Sequence, residues 1–236
     1  MESIPEIDLF DYITVSFSGR EPDGEITVEY AEDFPLENIF YTATKDDGKA
    51  AYSLSNGEVI NLSLFYSGDV KYDSLEAYGL ANGYIITTDN KDYTVSGLRF
   101  FVNDIEQISD EVVADMEDKA ITVITEDVDW GDVTLGNISY EGMYLLKDKT
   151  EADKYGEAEN LCYIILLVET DLAGEQASEY YWVNFHDLVV NSEGECVVKL
   201  SNYEISSKGY SDLDSLYADT IEPLLDNYNG WSTVEQ

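Results

Sequence analysis

The sequence has few basic residues. Lys and Arg together number 12 of 236 residues, against 50 Asp and Glu, so the formal net charge is -38. Two of the basic residues are arginines, Arg20 and Arg99. A surface of this charge repels phosphates and anionic membranes, and it attracts cations and basic partners. The composition therefore excludes nucleic-acid binding and favours a partner that is a protein or a glycan, with cationic partners preferred.

Long apolar runs are also missing. The longest, residues 161–168, has the length of a strand, whereas a membrane helix needs roughly 18 or more apolar residues. The opening residues, MESIPEIDLFDY, contain neither the basic region nor the apolar core of a signal peptide. We therefore expect no direct membrane insertion by this segment.

Side chains suited to metal or nucleophilic chemistry are scarce. His186 is the only histidine, and it lies in an alternating, strand-like segment with no nucleophile motif nearby, so a structural or surface role is favoured over Ser-His-Asp catalysis. One histidine and two cysteines without close spacing do not predict a zinc site. Cys162 and Cys196 are expected on strands two apart in a simple meander, which favours free thiols over a disulfide. No phosphate-binding glycine motif is present, and no organic cofactor is expected.

What residues 1–98 do contain is strand-like alternation. Residues 11–18 alternate apolar and polar side chains, the Pro-Asp-Gly sequence at 22–24 is a turn signal, and alternation resumes at 26–30. Further strand candidates are residues 38–43, 59–66, 84–88 and 93–96. Six or seven short strands in fewer than 100 residues are typical of an immunoglobulin-like β-sandwich, which we predict for residues 1–98.

Residues 99–236 have a different pattern, which predicts an α+β domain. Ser109 is placed to cap a helix, whose buried face is expected to contain Ile108, Val112, Met116, Ala120 and Val123. Four strand-like blocks follow, at residues 133–146, 161–170, 178–190 and 195–205. A last helix is expected to open at Ser211, with Asp214 placed for a capping box. This order favours a helix on an antiparallel meander, as in cystatin-like or NTF2-like folds.

Three segments also resemble a known group of proteins. They are DLFDYITVSFSGREPDGEITVEY, the later YTVSGL, and above all EYYWVNFHDLVVNSEGECVVKLSNYEI. They are similar to extracytoplasmic regions of surface proteins from Gram-positive Firmicutes, in which a zinc ribbon and one membrane span, or a lipoprotein-type anchor, often precede an Ig-like module and a small α+β module. The resemblance implies a cell-envelope or secreted location. It supplies no catalytic residues, and the present sequence contains neither the zinc ribbon nor the span.

One acidic segment is a candidate calcium site. Residues 126–132 place four carboxylates in seven residues, and the side chains predicted as ligands are Asp127, Asp129 and Asp132. Calcium prefers six to eight oxygen ligands, which alternating aspartates in a loop can supply. The segment lacks the residue order of an EF-hand, and solvated turns are the alternative in so acidic a chain.

Consecutive aromatic residues are a candidate ligand face. Tyr180, Tyr181 and Trp182, with further tyrosines on neighbouring strands, have the amphipathic side chains that sugar and peptide sites use. Ordinary packing of aromatic residues on a sheet is the alternative. Strand addition at an exposed sheet edge of either module is another way to bind a partner.

Three classes of function remain open from the sequence. The first is a non-enzymatic extracytoplasmic binding or spacer module of a bacterial surface protein. The second is a carboxylate-dependent hydrolase acting on cell-wall or glycan polymers, which requires two carboxylates with opposed pKa values in one cleft. The third is a cytoplasmic protein adapted to high salt, which the acidic excess suggests.

Overall fold

The chain folds into two compact units that are mainly β. The computed structural model describes residues 3–68, 71–127, 130–149 and 160–234. The units span residues 1–99 and 100–236, one residue beyond the boundary expected from the sequence. Most of their sheets are antiparallel and their helices are few, which confirms the prediction of a chain of the all-β or α+β class.

Within residues 3–68 and 71–99, the first unit contains seven strands and one short α-helix. Its elements are β1 (Glu6–Ile7), a 3₁₀ turn (Leu9–Tyr12), β2 (Ile13–Ser18), β3 (Glu25–Tyr30), β4 (Ile39–Lys45), β5 (Val59–Tyr66), α1 (Leu75–Ala81), β6 (Ile85–Ile86) and β7 (Asn90–Thr94). They form the hairpin β2–β3, the three-stranded sheet β4–β5–β7 and the short parallel pair β1–β6.

The hairpin and the three-stranded sheet share one apolar core. Along β5, Ile60, Leu62 and Leu64 are buried and alternate with more exposed residues, as the period of a strand requires. Val15 of β2 and Val28 of β3 pack against the cluster that contains Leu62 and Leu64. The alternation seen in the sequence therefore supplies the buried faces of both sheets.

Helix α1 and the pairing of β6 and β7 are not evident from the sequence. The hydroxyl of Ser74 accepts a hydrogen bond from the Ala77 N–H at 3.1 Å and so caps α1. Residues 84–88 and 93–96 were expected as strands, without assigned partners. In the structure, β6 pairs with β1 and β7 pairs with β5.

The second unit contains one long helix and a large sheet. Its elements are β8 (Phe100–Phe101), a 3₁₀ turn (Ile105–Gln107), α2 (Asp110–Asp127), β9 (Thr134–Asp148), β10 (Asn160–Leu172), β11 (Glu175–His186), β12 (Val189–Val190), β13 (Cys196–Val197), β14 (Tyr203–Ile205), α3 (Leu213–Leu216), a π turn (Tyr217–Ile221), a 3₁₀ turn (Glu222–Leu224) and β15 (Tyr228–Ser232).

Both faces of the five-stranded sheet are covered. The strand order is β14-β11-β10-β9-β15, and every neighbouring pair is antiparallel. Met116 and Ala120 of α2 pack on one face with Val183 of β11, which confirms the predicted apolar face of this helix. Leu216 and Ile221 of the C-terminal segment pack on the other face. The sheet is therefore the middle layer of the unit.

Three expectations for the second unit are wrong. Residues 178–190 were predicted as one strand, but β11 ends at His186 and β12 belongs to a different sheet. Residues 195–205 were predicted as one strand, but the Asn202 N–H donates to the Lys199 carbonyl in a turn that separates β13 from β14. Strand β13 then joins β12 and β8 in a separate sheet. The last helix is capped by Asp212, whose carboxylate accepts from the Ser215 N–H at 2.8 Å, and not by a box that involves Asp214.

Candidate functional site

The predicted calcium segment begins at the end of α2. Asp127 is the last residue of that helix, Asp132 is exposed in the following turn, and Asp129 lies outside the described residues. The Trp130 indole N–H donates to the Ile124 carbonyl at 3.0 Å and so covers the end of the helix. Within residues 3–68, 71–127, 130–149 and 160–234, no three His, Cys, Asp or Glu side chains converge as a metal site. Calcium binding here therefore stays a prediction.

The predicted aromatic face is divided between two sides of the sheet. Tyr181 is 6% exposed, faces α2 and lies 5.3 Å from the Trp130 ring. Tyr180 and Trp182 pack with the opposite cluster, and Trp182 contacts Tyr163 edge-on at 5.3 Å. Consecutive strand residues point to opposite faces. Tyr180, Tyr181 and Trp182 were predicted to form one ligand face. In the structure they pack in two separate layers instead.

His186 lies beside an amide and a carboxylate. Its Nε2 is 3.0 Å from the Asn184 Nδ2 and 3.8 Å from a carboxylate oxygen of Glu204. The Asn184 Oδ1 and the Trp182 Nε1 are buried and have no partner in the described part of the chain. His186 is therefore a half-buried residue of β11, and its imidazole lies beside Glu204 of β14.

The two cysteines are free thiols, as predicted. Cys162 is buried in β10, with its sulfur 4.0 Å from that of Met143, and Cys196 is half-buried in β13. Burial raises the pKa of Cys162 to about 12 and that of Cys196 to about 11. Both thiols are therefore protonated at neutral pH, the form that is a poor nucleophile.

A shallow groove in the second unit contains two carboxylates. It has a volume of about 500 Å³ and is lined in part by Tyr180, Asp212, Asp214 and Tyr217. The backbone N–H of Ser215 donates to Asp212 and lowers the pKa of that carboxyl. This bond gives Asp212 a capping role and favours its ionised form.

A larger groove lies in the first unit. Its volume is about 740 Å³, within the range of roughly 300–1,000 Å³ that small ligand sites span. Three segments line it: residues 23–26 at the turn and start of β3, residues 41–44 of β4, and residues 50–53 of the following loop. The groove therefore runs between one strand of the hairpin and one strand of the three-stranded sheet.

The wall formed by β4 has open backbone groups. Tyr41 is paired with Leu64 of β5, but the Leu64 N–H donates to the Asp89 carbonyl on its other side at 2.7 Å. Bonded and non-bonded pairs alternate along antiparallel strands, so the backbone groups of Tyr41 and Ala43 point away from β5. The Ala43 carbonyl accepts from the Ala51 N–H at 3.0 Å. The Tyr41 N–H and C=O and the Ala43 N–H have no partner among the described residues.

The wall formed by β3 is open in the same way. The Ala31 N–H donates to the Tyr12 carbonyl at 2.9 Å, and the alternation along this pair directs the backbone groups of Ile26 away from β2. Gly24 exchanges two hydrogen bonds with Leu54, each of 3.0 Å, and these bonds close one end of the groove. A Cβ at Gly24 would lie 2.7 Å from the Leu54 carbonyl oxygen, so glycine permits this close approach.

An ion pair holds the loop beside the groove. The Lys45 ammonium donates to the Ser53 carbonyl at 2.8 Å and to the Glu58 carboxylate at 3.0 Å. The Ser55 N–H donates to Glu58 at 2.8 Å, and this bond, followed by the Lys45 bond, lowers the pKa of the Glu58 carboxyl. The loop presents Tyr52, which is 79% exposed. The exposed ring of Tyr52 is therefore carried by a loop that hydrogen bonds hold in place.

The chemistry of the groove is aromatic and acidic. Tyr41 and Tyr52 are exposed, and Asp23 and Glu25 stand on the β3 side, neither of them in an ion pair with a described residue. No motif or spacing in the sequence marks these four side chains as a site. The alternation predicts the strands, and the turn signal predicts the position of Asp23, but which strands become edges depends on pairing across the unit.

Comparison with known proteins leaves the family open. No protein-family model, curated protein or solved structure matches the chain. In the described part of the chain, no helix has the length and apolar character needed to cross a bilayer. The function is therefore inferred from the geometry and charge of the molecule itself.

Replacing Lys45 by methionine is expected to loosen the loop and to lower the free energy of unfolding of the first unit by about 1–2 kcal/mol, because Glu58 and the Ser53 carbonyl lose a charged donor. Urea unfolding followed by far-ultraviolet circular dichroism measures the change. In a double-mutant cycle with Glu58→Gln, the coupling is expected to be about 0.5–1.5 kcal/mol. Additive effects would show that the pair does not hold the loop.

Proposed function

We propose that the protein is a non-enzymatic binding module that works outside the cytoplasm, in the cell envelope or as a secreted part of a bacterial surface protein. The observation that carries this proposal is the groove between β3 and β4, where open backbone groups, two exposed tyrosines and two carboxylates converge. Ligand sites combine apolar and aromatic walls with a few directed polar groups, and this groove has both.

The location and the finer fold belong to the same proposal. The sequence segments that resemble Gram-positive surface proteins support an envelope location. The shared core of the hairpin and the three-stranded sheet supports an Ig-like sandwich for the first unit. The helix packed on an antiparallel sheet supports a cystatin-like or NTF2-like second unit, in which β15 is an added edge strand.

Binding is favoured over hydrolysis on one specific ground. Carboxylate-dependent hydrolysis of a glycan needs one acid that stays protonated and one that stays ionised. In the second unit, Asp212 is held ionised by the Ser215 N–H and caps a helix. In the first unit, Asp23 and Glu25 are exposed, a position that suits an electrostatic contact with a partner.

Two variants of the whole chain test the proposal. A random peptide display library and a glycan array are each screened with the wild-type protein, and the recovered binders are measured again against Tyr52→Ala. We expect Tyr52→Ala to weaken the best binders by about fivefold or more, since exposed aromatic residues that become buried are frequent anchors of binding. Its effect on stability is expected to stay within about 0.5 kcal/mol.

The matched control is Phe65→Ala, which removes another exposed ring, 41% exposed, from outside the groove. Binders that respond equally to the two variants would place the contact elsewhere. If neither library yields a binder that depends on Tyr52, the groove is not a binding site and the proposed function is wrong.

A further inference from the structure

We infer that the groove of the first unit takes an extended, basic peptide, which adds to the edge of β4 as a further strand. This inference rests on the proposed binding function and specifies its partner. It depends on three independent features: the open backbone groups along β4, the charge of the facing wall, and the hydrogen bonds that fix one end of the groove.

The backbone of β4 has the spacing that an added strand needs. The N–H and C=O of Tyr41 point into the groove, and the next outward-facing residue, Ala43, offers its N–H. Two such residues, i and i+2, are what a partner strand contacts on one side of an antiparallel or parallel pair. A peptide bound in this way obtains its affinity from main-chain hydrogen bonds and its selectivity from alternate side chains.

The side chains along the edge of β4 leave room for a partner strand to approach and pair with it. Residues 42–44 are Thr-Ala-Thr, small side chains beside the open backbone, and Tyr41 is 37% exposed. Natural sheet edges are commonly protected by an inward charge, a proline or a covering segment. Residues 49–51 cover the last part of β4, since the Lys45 N–H donates to the Lys49 carbonyl and the Ala51 N–H donates to the Ala43 carbonyl. Among the described residues, no such bond is made to the outward side of Tyr41.

The charge of the groove selects a basic partner. Asp23 and Glu25 face the edge of β4 from the opposite wall, and neither has a cationic partner in the described residues. The lysines of β4 and of the turn that follows it are already engaged, since Lys45 pairs with Glu58 at 3.0 Å and Lys49 pairs with Asp47 at 2.6 Å. A lysine or arginine of the partner would neutralise a carboxylate of this wall. The net charge of -38 would speed the approach of a basic partner.

One end of the groove is fixed before any partner binds. Gly24 and Leu54 close one end with two hydrogen bonds, and Lys45 anchors the loop that presents Tyr52. A preformed groove loses little conformational entropy on binding. Tyr52 is then placed to cover an alternate side chain of the added strand, which accounts for an aromatic ring that is almost fully exposed in the free chain.

The test uses the whole chain and labelled synthetic peptides, with binding measured by fluorescence anisotropy. The first peptide alternates lysine with valine and has blocked ends. The second replaces each lysine by glutamate, and the third is the first with alternate amides N-methylated, which removes the donors of one edge. We expect the first peptide to bind at least tenfold more tightly than either of the others, since about 1.4 kcal/mol is tenfold in affinity.

Two variants of Tyr41 separate the backbone from the ring. Tyr41→Pro removes the outward N–H together with the ring, and Tyr41→Thr removes the ring alone. We expect Tyr41→Pro to bind the basic peptide about tenfold more weakly than Tyr41→Thr does, whereas a contact through the ring alone would make the two equal. Proline is tolerated where the N–H of an edge strand faces solvent. If Tyr41→Pro does not fold, the N-methylated peptide tests the same bonds from the ligand side.

The charge is tested by Asp23→Asn with Glu25→Gln, against the control pair Asp73→Asn with Glu76→Gln. The control removes the same charge from exposed positions outside the groove lining. We expect about tenfold weaker binding for the groove pair and less than twofold for the control, with the difference shrinking in high salt.

Each alternative ligand of the groove would give a distinct result in these experiments. Self-association of the wild type that Tyr41→Pro abolishes would identify a second copy of the chain and would overturn the inference. A glycan or an acidic peptide that depends on Tyr52, with no binding of the basic peptide, would also overturn it and would leave the binding function standing. If no binder depends on Tyr52, both the inferred peptide partner and the proposed binding function are wrong.

Discussion

Replacing Asn160 by alanine is expected to lower the free energy of unfolding of the second unit by about 3–5 kcal/mol. Asn160 is completely buried at the start of β10. Its amide nitrogen donates to the carbonyls of Val102 and Leu188, at 2.9 and 2.8 Å, and its Oδ1 accepts from the Leu188 N–H at 2.7 Å. One side chain thus joins the sheet to the segments that precede α2 and β12.

The size of the effect follows from what alanine leaves behind. The Leu188 carbonyl keeps a bond from the Val102 N–H, but the Leu188 N–H and the Val102 carbonyl would be buried without partners. Each unsatisfied group costs about 1–3 kcal/mol, and the cavity adds to that. Asn160→Asp keeps the volume but turns a carboxylate oxygen toward two carbonyls, and it is expected to be at least as destabilising at neutral pH.

Tryptophan fluorescence during urea unfolding measures this effect in one unit. All three tryptophans, Trp130, Trp182 and Trp231, belong to the second unit, so the signal does not depend on the first. The control is Asn229→Ala, an exposed amide on β15, which is expected to change stability by no more than about 0.5 kcal/mol. A loss below about 1 kcal/mol for Asn160→Ala would mean that the three bonds do not join these segments in solution.

Sequence reasoning was most successful where a local period determines the structure. The strand predicted at residues 59–66 coincides with β5, and the apolar face predicted for α2 is the face that packs on the sheet. It failed where a turn interrupts a plausible strand, as at Asn202, and where a short element is stabilised by its cap, as at Ser74. These outcomes depend on single hydrogen bonds that composition does not specify.

The candidate site, too, was predictable from the sequence only in part. The turn that carries Asp23 and the strand that carries Tyr41 follow from the sequence, but their meeting in one groove does not. Edge position is a property of the whole sheet, because it depends on which strands are absent as neighbours. The aromatic run at Tyr180 illustrates the opposite error, since the alternation of a strand sends adjacent side chains to opposite faces.

The second unit is expected to lose stability steeply between pH 9 and 12. Burial raises the pKa of Cys162 to about 12 and that of Tyr181 to about 12, and it also raises the pKa of Tyr163. In the unfolded chain these groups ionise near pH 9 for a thiol and near pH 10 for a phenol. Since the unfolded chain then binds fewer protons than the folded chain, stability falls as the pH rises.

The contribution of Cys162 can be isolated. Its stabilising effect is fully present below about pH 9 and is lost as the pH approaches about 12, and by pH 11 the loss is about 2–3 kcal/mol, at roughly 1.4 kcal/mol per pH unit. Cys162→Ala removes this titration, at the cost of a small cavity that does not depend on pH. Urea unfolding by tryptophan fluorescence at several values between pH 8 and pH 11 is expected to give a shallower slope for Cys162→Ala than for the wild type. Parallel slopes would show that the thiol is not held protonated by the core, and the alkaline loss would then belong to the buried tyrosines.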